Sequence, residues 1–205
     1  MGISERKERE RQEMRDLIVE KATQVFIELG YEKASIRTIA ERIEYSPATI
    51  YLYFKDKDWL FLEVQSVSFG LLLKEFEKTQ TIEDPIQRLH ALGKAYLDFG
   101  IANPAHYELM FINKEPVNCI QKDEVEWHNG MKVMELFRST LQSCIDAGKL
   151  KITNIDIAAF AIWGMVHGMV SLYVTNHYQV MDIPDEVARM MVYQSLDATM
   201  ELLKA

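Results

Sequence analysis

The chain has 205 residues, 48% of them hydrophobic, which is ample for a core in one or two domains, and it contains no repeat and no low-complexity linker. A net charge of −8 argues at first against a nucleic-acid partner, but residues 1–57 carry 11 basic and 11 acidic side chains, so the whole excess falls on residues 58–205. Local field, not total charge, governs binding to a duplex, and the neutral N-terminal part is not excluded from it.

Residues 2–16 are dense in Arg, Lys and Glu, the opposite of an apolar leader. With Cys119 and Cys144 the only cysteines, a reduced cytoplasmic protein with two buried free thiols is expected. Helix one is predicted over about 7–29, with Ile18, Ala22, Val25, Phe26 and Leu29 on its inner stripe. Its first turns alternate acids and bases at helical spacing, the pattern of a solvated, self-paired face, although Arg6, Lys7, Arg9 and Arg11 are available to phosphates.

The most informative stretch is 35–54, which reads as two short helices joined by a tight turn. Ser35 can cap the first, and Ile36, Ile39, Ala40 and Ile43 give it one apolar side. After Glu44-Tyr45-Ser46 the chain restarts at Ser46-Pro47, where a serine oxygen caps the new helix and the missing proline N–H costs nothing. Ile50 and Phe54, at i and i+4, point inward, leaving Pro47, Ala48, Thr49, Tyr51 and Tyr53 outward. Such a face suits a DNA groove: Pro47 and Ala48 can approach a thymine methyl, and the hydroxyls can reach phosphates or base edges. Lys55 and Lys57 are placed to meet phosphates as flexible point charges, and Arg37 can make a forked bond to guanine.

Over about forty-five positions, residues 18–62 resemble the DNA-binding domain of the tetracycline-repressor (TetR) family of bacterial regulators. The match runs from Leu29-Gly30-Tyr31 through Ala34-Ser35-Ile36-Arg37-Thr38-Ile39-Ala40 to Ser46-Pro47-Ala48-Thr49-Ile50-Tyr51-Leu52-Tyr53-Phe54-Lys55-Asp56-Lys57. The resemblance implies DNA contacts at Ser35, Arg37, Thr38, Pro47, Ala48, Thr49, Tyr51, Tyr53 and Lys57, and we add the capping Ser46. Leu52 departs from the arginine, tryptophan or tyrosine frequent at its position, which implies a different base set or one backbone contact fewer.

Beyond the head, expected as residues 1–57, residues 58–205 read as a helical effector-binding and dimerisation domain, for an all-α fold of about nine helices. Helix four is expected from near Asp56 to about Lys78, joining head to body. A fifth follows Glu83-Asp84-Pro85 and ends before Asn103-Pro104, and a short sixth runs from Pro104 to Phe111. A loop at 113–118 leads to helix seven at about 122–147, and the last two are expected at 154–178 and 184–203. Helix nine has two apolar sides, Val187, Met191, Ala198 and Leu202 on one and Val192, Leu196, Met200 and Leu203 on the other, more than one neighbour can cover. The last two helices are therefore expected to make a homodimer through a four-helix interface, which suits a palindromic double-stranded operator. Ile157–Val174 has no charged residue over eighteen positions, long enough to raise the question of a membrane span. His167, Ser171, two glycines and the lack of a second such segment point instead to burial between subunits, with no membrane partner.

Trp163-Gly-Met-Val-His167-Gly168 resembles the Trp-x-x-x-His-Gly signature of one TetR-like C-terminal subgroup. Trp163 and His167 share a helix face, and Gly164 and Gly168 share the adjacent one, where another helix could pack closely. The pair is expected to line a ligand cavity with Tyr96, Phe99, Tyr107, Phe111, Trp127, Met131 and Met134, a lining suited to a small hydrophobic effector; the alternative is an architectural core histidine. No cofactor and no metal are expected, since His90, His106, His128, His167 and His177 show no close ligand spacing. Nor is there a glycine-rich phosphate loop or serine elbow, so catalytic residues are not assigned. The sequence thus points to a homodimeric repressor released by an effector, with helix four as the lever. A lipid- or drug-binding protein with a vestigial head is the alternative.

Overall fold

The computed structural model describes residues 2–112 and 128–205, and the expected 113–118 loop, the start of helix seven, Cys119 and Trp127 lie outside them. Among the described residues there are nine α-helices, one 3₁₀ helix and no strand, only an isolated bridge between Leu150 and Lys204. The helices are α1 (Ile3–Lys33), α2 (Ile36–Arg42), α3 (Pro47–Tyr51), α4 (Lys57–Thr79), α5 (Pro85–Ala102), α6 (Pro104–Phe111), α7 (His128–Asp146), α8 (Ile155–Val174) and α9 (Asp185–Leu203). The 3₁₀ helix is His177–Met181.

The chain divides into two compact units, residues 1–68 with 108–127 and residues 69–107 with 128–205. This differs from the boundary expected at 57, because Leu60, Phe61 and Val64 of α4, and Leu109 of α6, are buried in the same core as Ile18, Phe26, Ile39 and Ile50. Buried Gln65 adds a polar tie, its amide donating to the Leu109 carbonyl at 2.5 Å.

In the first unit, α1 begins earlier than expected, with the Gly2 N–H donating to Glu5 Oε2 at 2.8 Å. Arg6–Glu10 and Arg9–Glu13 pair one turn apart on the solvated face. The helical run breaks where the sequence placed its end: Gly30 has φ +74°, a left-handed value that an L side chain resists. One further turn carries the chain to Ala34, and Ser35 opens α2.

In the second unit α5 packs against α7, α8 and α9. Asp84 caps α5 by accepting from the N–H groups of Ile86 and Gln87 at 2.9 and 3.0 Å, ahead of Pro85 at the first helical position. Asn154 caps α8 in the same way. Helix α8 stops at Val174 rather than continuing to 178, since Asn176 turns left-handed at φ +57° and the chain tightens into the 3₁₀ helix. That turn is fixed from outside, the hydroxyls of Tyr173 and Tyr178 both donating to Asp185 Oδ1 at 3.0 and 2.6 Å. Cys144 is a free, buried thiol whose Sγ donates to the Pro85 carbonyl.

At Gly100 two helices approach closely: a Cβ there would stand 2.3 Å from Val170 Cγ1 and 3.3 Å from Tyr107. Gly100→Ala should therefore destabilise the body by about 1–3 kcal/mol, the usual range for overpacking, read as a lower urea midpoint.

Candidate functional site

The helix-turn-helix is held by two matching caps. Ser35 Oγ accepts from the Thr38 N–H at 3.1 Å, and Ser46 Oγ accepts from the Thr49 N–H at 3.3 Å. Each serine oxygen also lies within hydrogen-bond reach of the threonine hydroxyl, at 2.9 and 3.2 Å. Between the two helices Glu44 takes φ +59°, and the Tyr45 N–H returns to the Ala40 carbonyl at 3.0 Å. Ile50 is fully buried and Phe54 nearly so, as the i, i+4 spacing requires. The outward face is real but graded: Pro47, Ala48 and Tyr51 are exposed, Thr49 is half-buried, and Leu52 is 75% exposed.

Two expected contacts are placed differently. Tyr53 is not fully outward but packs partly buried against the head core. Lys57 is not a free point charge: its ammonium donates to the carbonyls of Tyr31 and Ala34 at 3.0 and 3.3 Å and lies 3.9 Å from the centre of the Tyr31 ring. Arg37 remains largely in solvent, held loosely by Glu41 one turn on at 3.1 Å. Ser35 and Thr38 are half-buried at the start of α2, and Ser46 is exposed at the start of α3.

In the second unit the structure brings four of the expected ligand residues together. His167 Nδ1 lies 2.7 Å from the Tyr107 hydroxyl and 3.1 Å from that of Tyr96, and Tyr107 also donates to the His167 carbonyl at 3.0 Å. The Tyr107 and His167 rings stack at 5.5 Å, and the Trp163 ring sits 5.9 Å from the imidazole. Burial raises both tyrosine hydroxyls well above the ordinary phenol range, and it lowers His167, favouring the neutral imidazole. Phe99 is buried on the same helix as Tyr96, and Met134 is half-buried on α7.

The other ligand expectations fare differently. Met131 is 61% exposed, so it cannot line an interior cavity here; the helical phase of α7 turns Gly130 and Val133 inward instead. Phe111 belongs to the first unit, half-buried at the end of α6, and Trp127 lies outside the described residues. Sequence reading passed over Thr140, whose wholly buried hydroxyl has no hydrogen-bond partner among the described residues, since a threonine in an amphipathic helix gives no sign of which side it faces. It also missed a groove of about 620 Å³ on the second unit, bordered by Ile82, Ile86, His90, Asp197, Met200 and Lys204 and by none of the expected ligand residues.

The comparisons bear on both parts. The family described as "Bacterial regulatory proteins, tetR family" matches residues 18–64, and "Tetracyclin repressor-like, C-terminal domain" matches residues 89–194. The HTH-type transcriptional regulator YhgD of Bacillus subtilis is 26% identical over 151 residues, 71% of this chain and 76% of that protein. The transcriptional activator FasR of Mycolicibacterium smegmatis is 32% identical over 104 residues, 50% of this chain and 48% of that one. Among solved structures, a tetR family regulator from Shewanella sp. PV-4 superposes with a TM-score of 0.70 at 15% identity, covering 93% of this chain and 98% of the other. The FadR regulator of Bacillus subtilis, in complex with stearoyl-CoA, gives 0.68 at 20% identity, over 88% of this chain and 96% of that one. Since the helix-turn-helix residues fall inside the first match and the Trp163–His167 cluster inside the second, which alone spans more than half the sequence, this chain belongs to the TetR family of transcriptional regulators.

Proposed function

We propose that the protein is a cytoplasmic homodimeric repressor whose α3 reads a palindromic operator and whose Trp163–His167 cluster answers a small hydrophobic effector. The observation that carries it is the outward face of α3: a five-residue helix capped at Ser46 and anchored by Ile50, with Pro47, Ala48 and Tyr51 turned to solvent. Ser35, Arg37 and Thr38 at the start of α2, with Ser46, Thr49 and Tyr53, complete the proposed DNA surface.

The dimer reading rests on α8 and α9. Only 28% of the apolar stretch of α8 is buried within the chain, which leaves Ile157, Phe160 and Leu172 at 60%, 79% and 59% exposure. Gly164 and Gly168 have no neighbour within 4 Å that an added Cβ would meet, so among the described residues no helix packs against them. On α9 the Val192, Leu196, Met200 and Leu203 side is buried, while Val187, Met191 and Leu202 stay exposed. A second copy would cover both surfaces, and a two-fold dimer spaces two heads for two half-sites.

For the effector, a cluster of one imidazole, two phenols and an indole on otherwise apolar helices favours a largely apolar molecule with few polar groups. The effector acts only as far as it prefers the state with wrongly spaced heads. The FadR relative with bound stearoyl-CoA makes acyl-CoA thioesters sensible first probes. The test is to recover genomic fragments bound by the purified protein and then to titrate such probes. One enriched palindrome, released by a probe, supports the whole reading; operator affinity that no pocket ligand changes would remove the effector half.

Tyr51→Ala should weaken operator binding roughly tenfold, about 1.4 kcal/mol, in a fluorescence-anisotropy titration. Phe160→Glu should shift the protein to monomer by light scattering and cost most of its affinity for the palindrome while the helical circular-dichroism signal persists. Because burial lowers His167, and His106 with the same sign, the unfolded chain takes up protons first as pH falls. Stability should therefore drop below the ordinary histidine value of about 6.5, with His167→Gln removing part of that drop in thermal scans.

A further inference from the structure

The first two residues of α4 both close on Tyr31, in the corner where α1 ends. Lys57 holds its carbonyl and covers its ring, and Asp58 accepts from its hydroxyl. The ring in turn packs edge-on against Phe61 at 4.9 Å and parallel to Phe26 at 6.1 Å. Tyr31 is thus gripped through backbone, ring and hydroxyl by adjacent side chains of one helix.

The corner has reason to need this. Gly30 interrupts the helical run at φ +74°, and carbonyls at a helix end lack the next turn of donors. A lysine is a common replacement donor there. The second carbonyl on Lys57 is that of Ala34, the residue directly before Ser35, whose oxygen caps α2. The ammonium therefore fixes the peptide from which the helix-turn-helix starts.

The same geometry tells against a phosphate role. A phosphate ligand needs its donors in solvent, whereas two of the three N–H bonds of Lys57 reach carbonyls and an aromatic face lies against the group. We propose that Lys57 is a positioning residue: with Asp58 it forms a clasp on Tyr31 that sets the α1–α2 corner, and through it the pose of α3 on the operator. The proposal rests on the reading that α3 contacts DNA.

The test uses the full-length protein and its variants Lys57→Met, Lys57→Arg, Tyr31→Phe and the milder Asp58→Asn. Affinity is measured for the selected operator duplex and for an unrelated duplex of equal length, between about 50 and 200 mM salt. The clasp predicts that Lys57→Met and Tyr31→Phe lower operator affinity about tenfold, leave the unrelated duplex within about twofold, and keep the salt slope, with Lys57→Arg recovering most of the loss. Tyr31→Phe changes no charge and removes no phosphate contact proposed above, so a loss confined to the operator isolates positioning. Equal loss on both duplexes for Lys57→Met, with a slope smaller by about 0.9, would show a direct phosphate contact and overturn the proposal. Unchanged discrimination in both Lys57→Met and Tyr31→Phe would overturn it as well, and Asp58→Asn decides if either of them loses its cooperative thermal transition. A wild type that prefers no duplex sinks the operator reading itself, whereas wild-type preference with intact variants sinks only the clasp.

Discussion

A helix of five residues cannot stand alone in water, because nucleation costs more than so few hydrogen bonds return. Everything that α3 presents therefore depends on the burial of Ile50 and Phe54 in the head core. Ser46 and Pro47 start the helix at low cost, but they do not decide where it lies. The surrounding core does, and it draws on α1, α2, the first turns of α4 and Leu109 of α6. The exposed Pro47, Ala48 and Tyr51 are consequences of which side those two anchors claim.

The body solves a different problem, that of polar groups inside an apolar layer. Buried hydroxyls and an imidazole are costly without partners, and Tyr96, Tyr107 and His167 satisfy one another. The short helix α6 links the two problems along the chain: Tyr107 joins the His167 cluster, and Leu109, two residues on, joins the head core.

Helix α8 shows why composition alone misleads. It is apolar enough to pass for a membrane span, yet one side packs within the chain through Ala158, Ile162, Val166 and Val170 while the other bears Phe160 and Leu172. Its two unobstructed glycines lie on the side that no described residue covers.

Much of this was legible in the residues. The serine caps, the proline start, the i, i+4 anchors, the break at Gly30 and most helix limits follow from local rules, because capping, glycine freedom and helical period act within a few residues. The pairing of Trp163 with His167 is likewise a matter of one helical turn. Other features depend on partners far apart in sequence, which only the tertiary structure brings together: Tyr96 and Tyr107 meeting His167, Leu109 completing the head core, and Met131 turned to solvent. Lys57 marks the divide most clearly. Its charge and place after α3 made it look like a phosphate ligand, but the carbonyls of Tyr31 and Ala34, more than twenty residues earlier, lie within hydrogen-bond reach and accept from its ammonium. Sequence determined which groups could form bonds, and packing determined which of them were within reach.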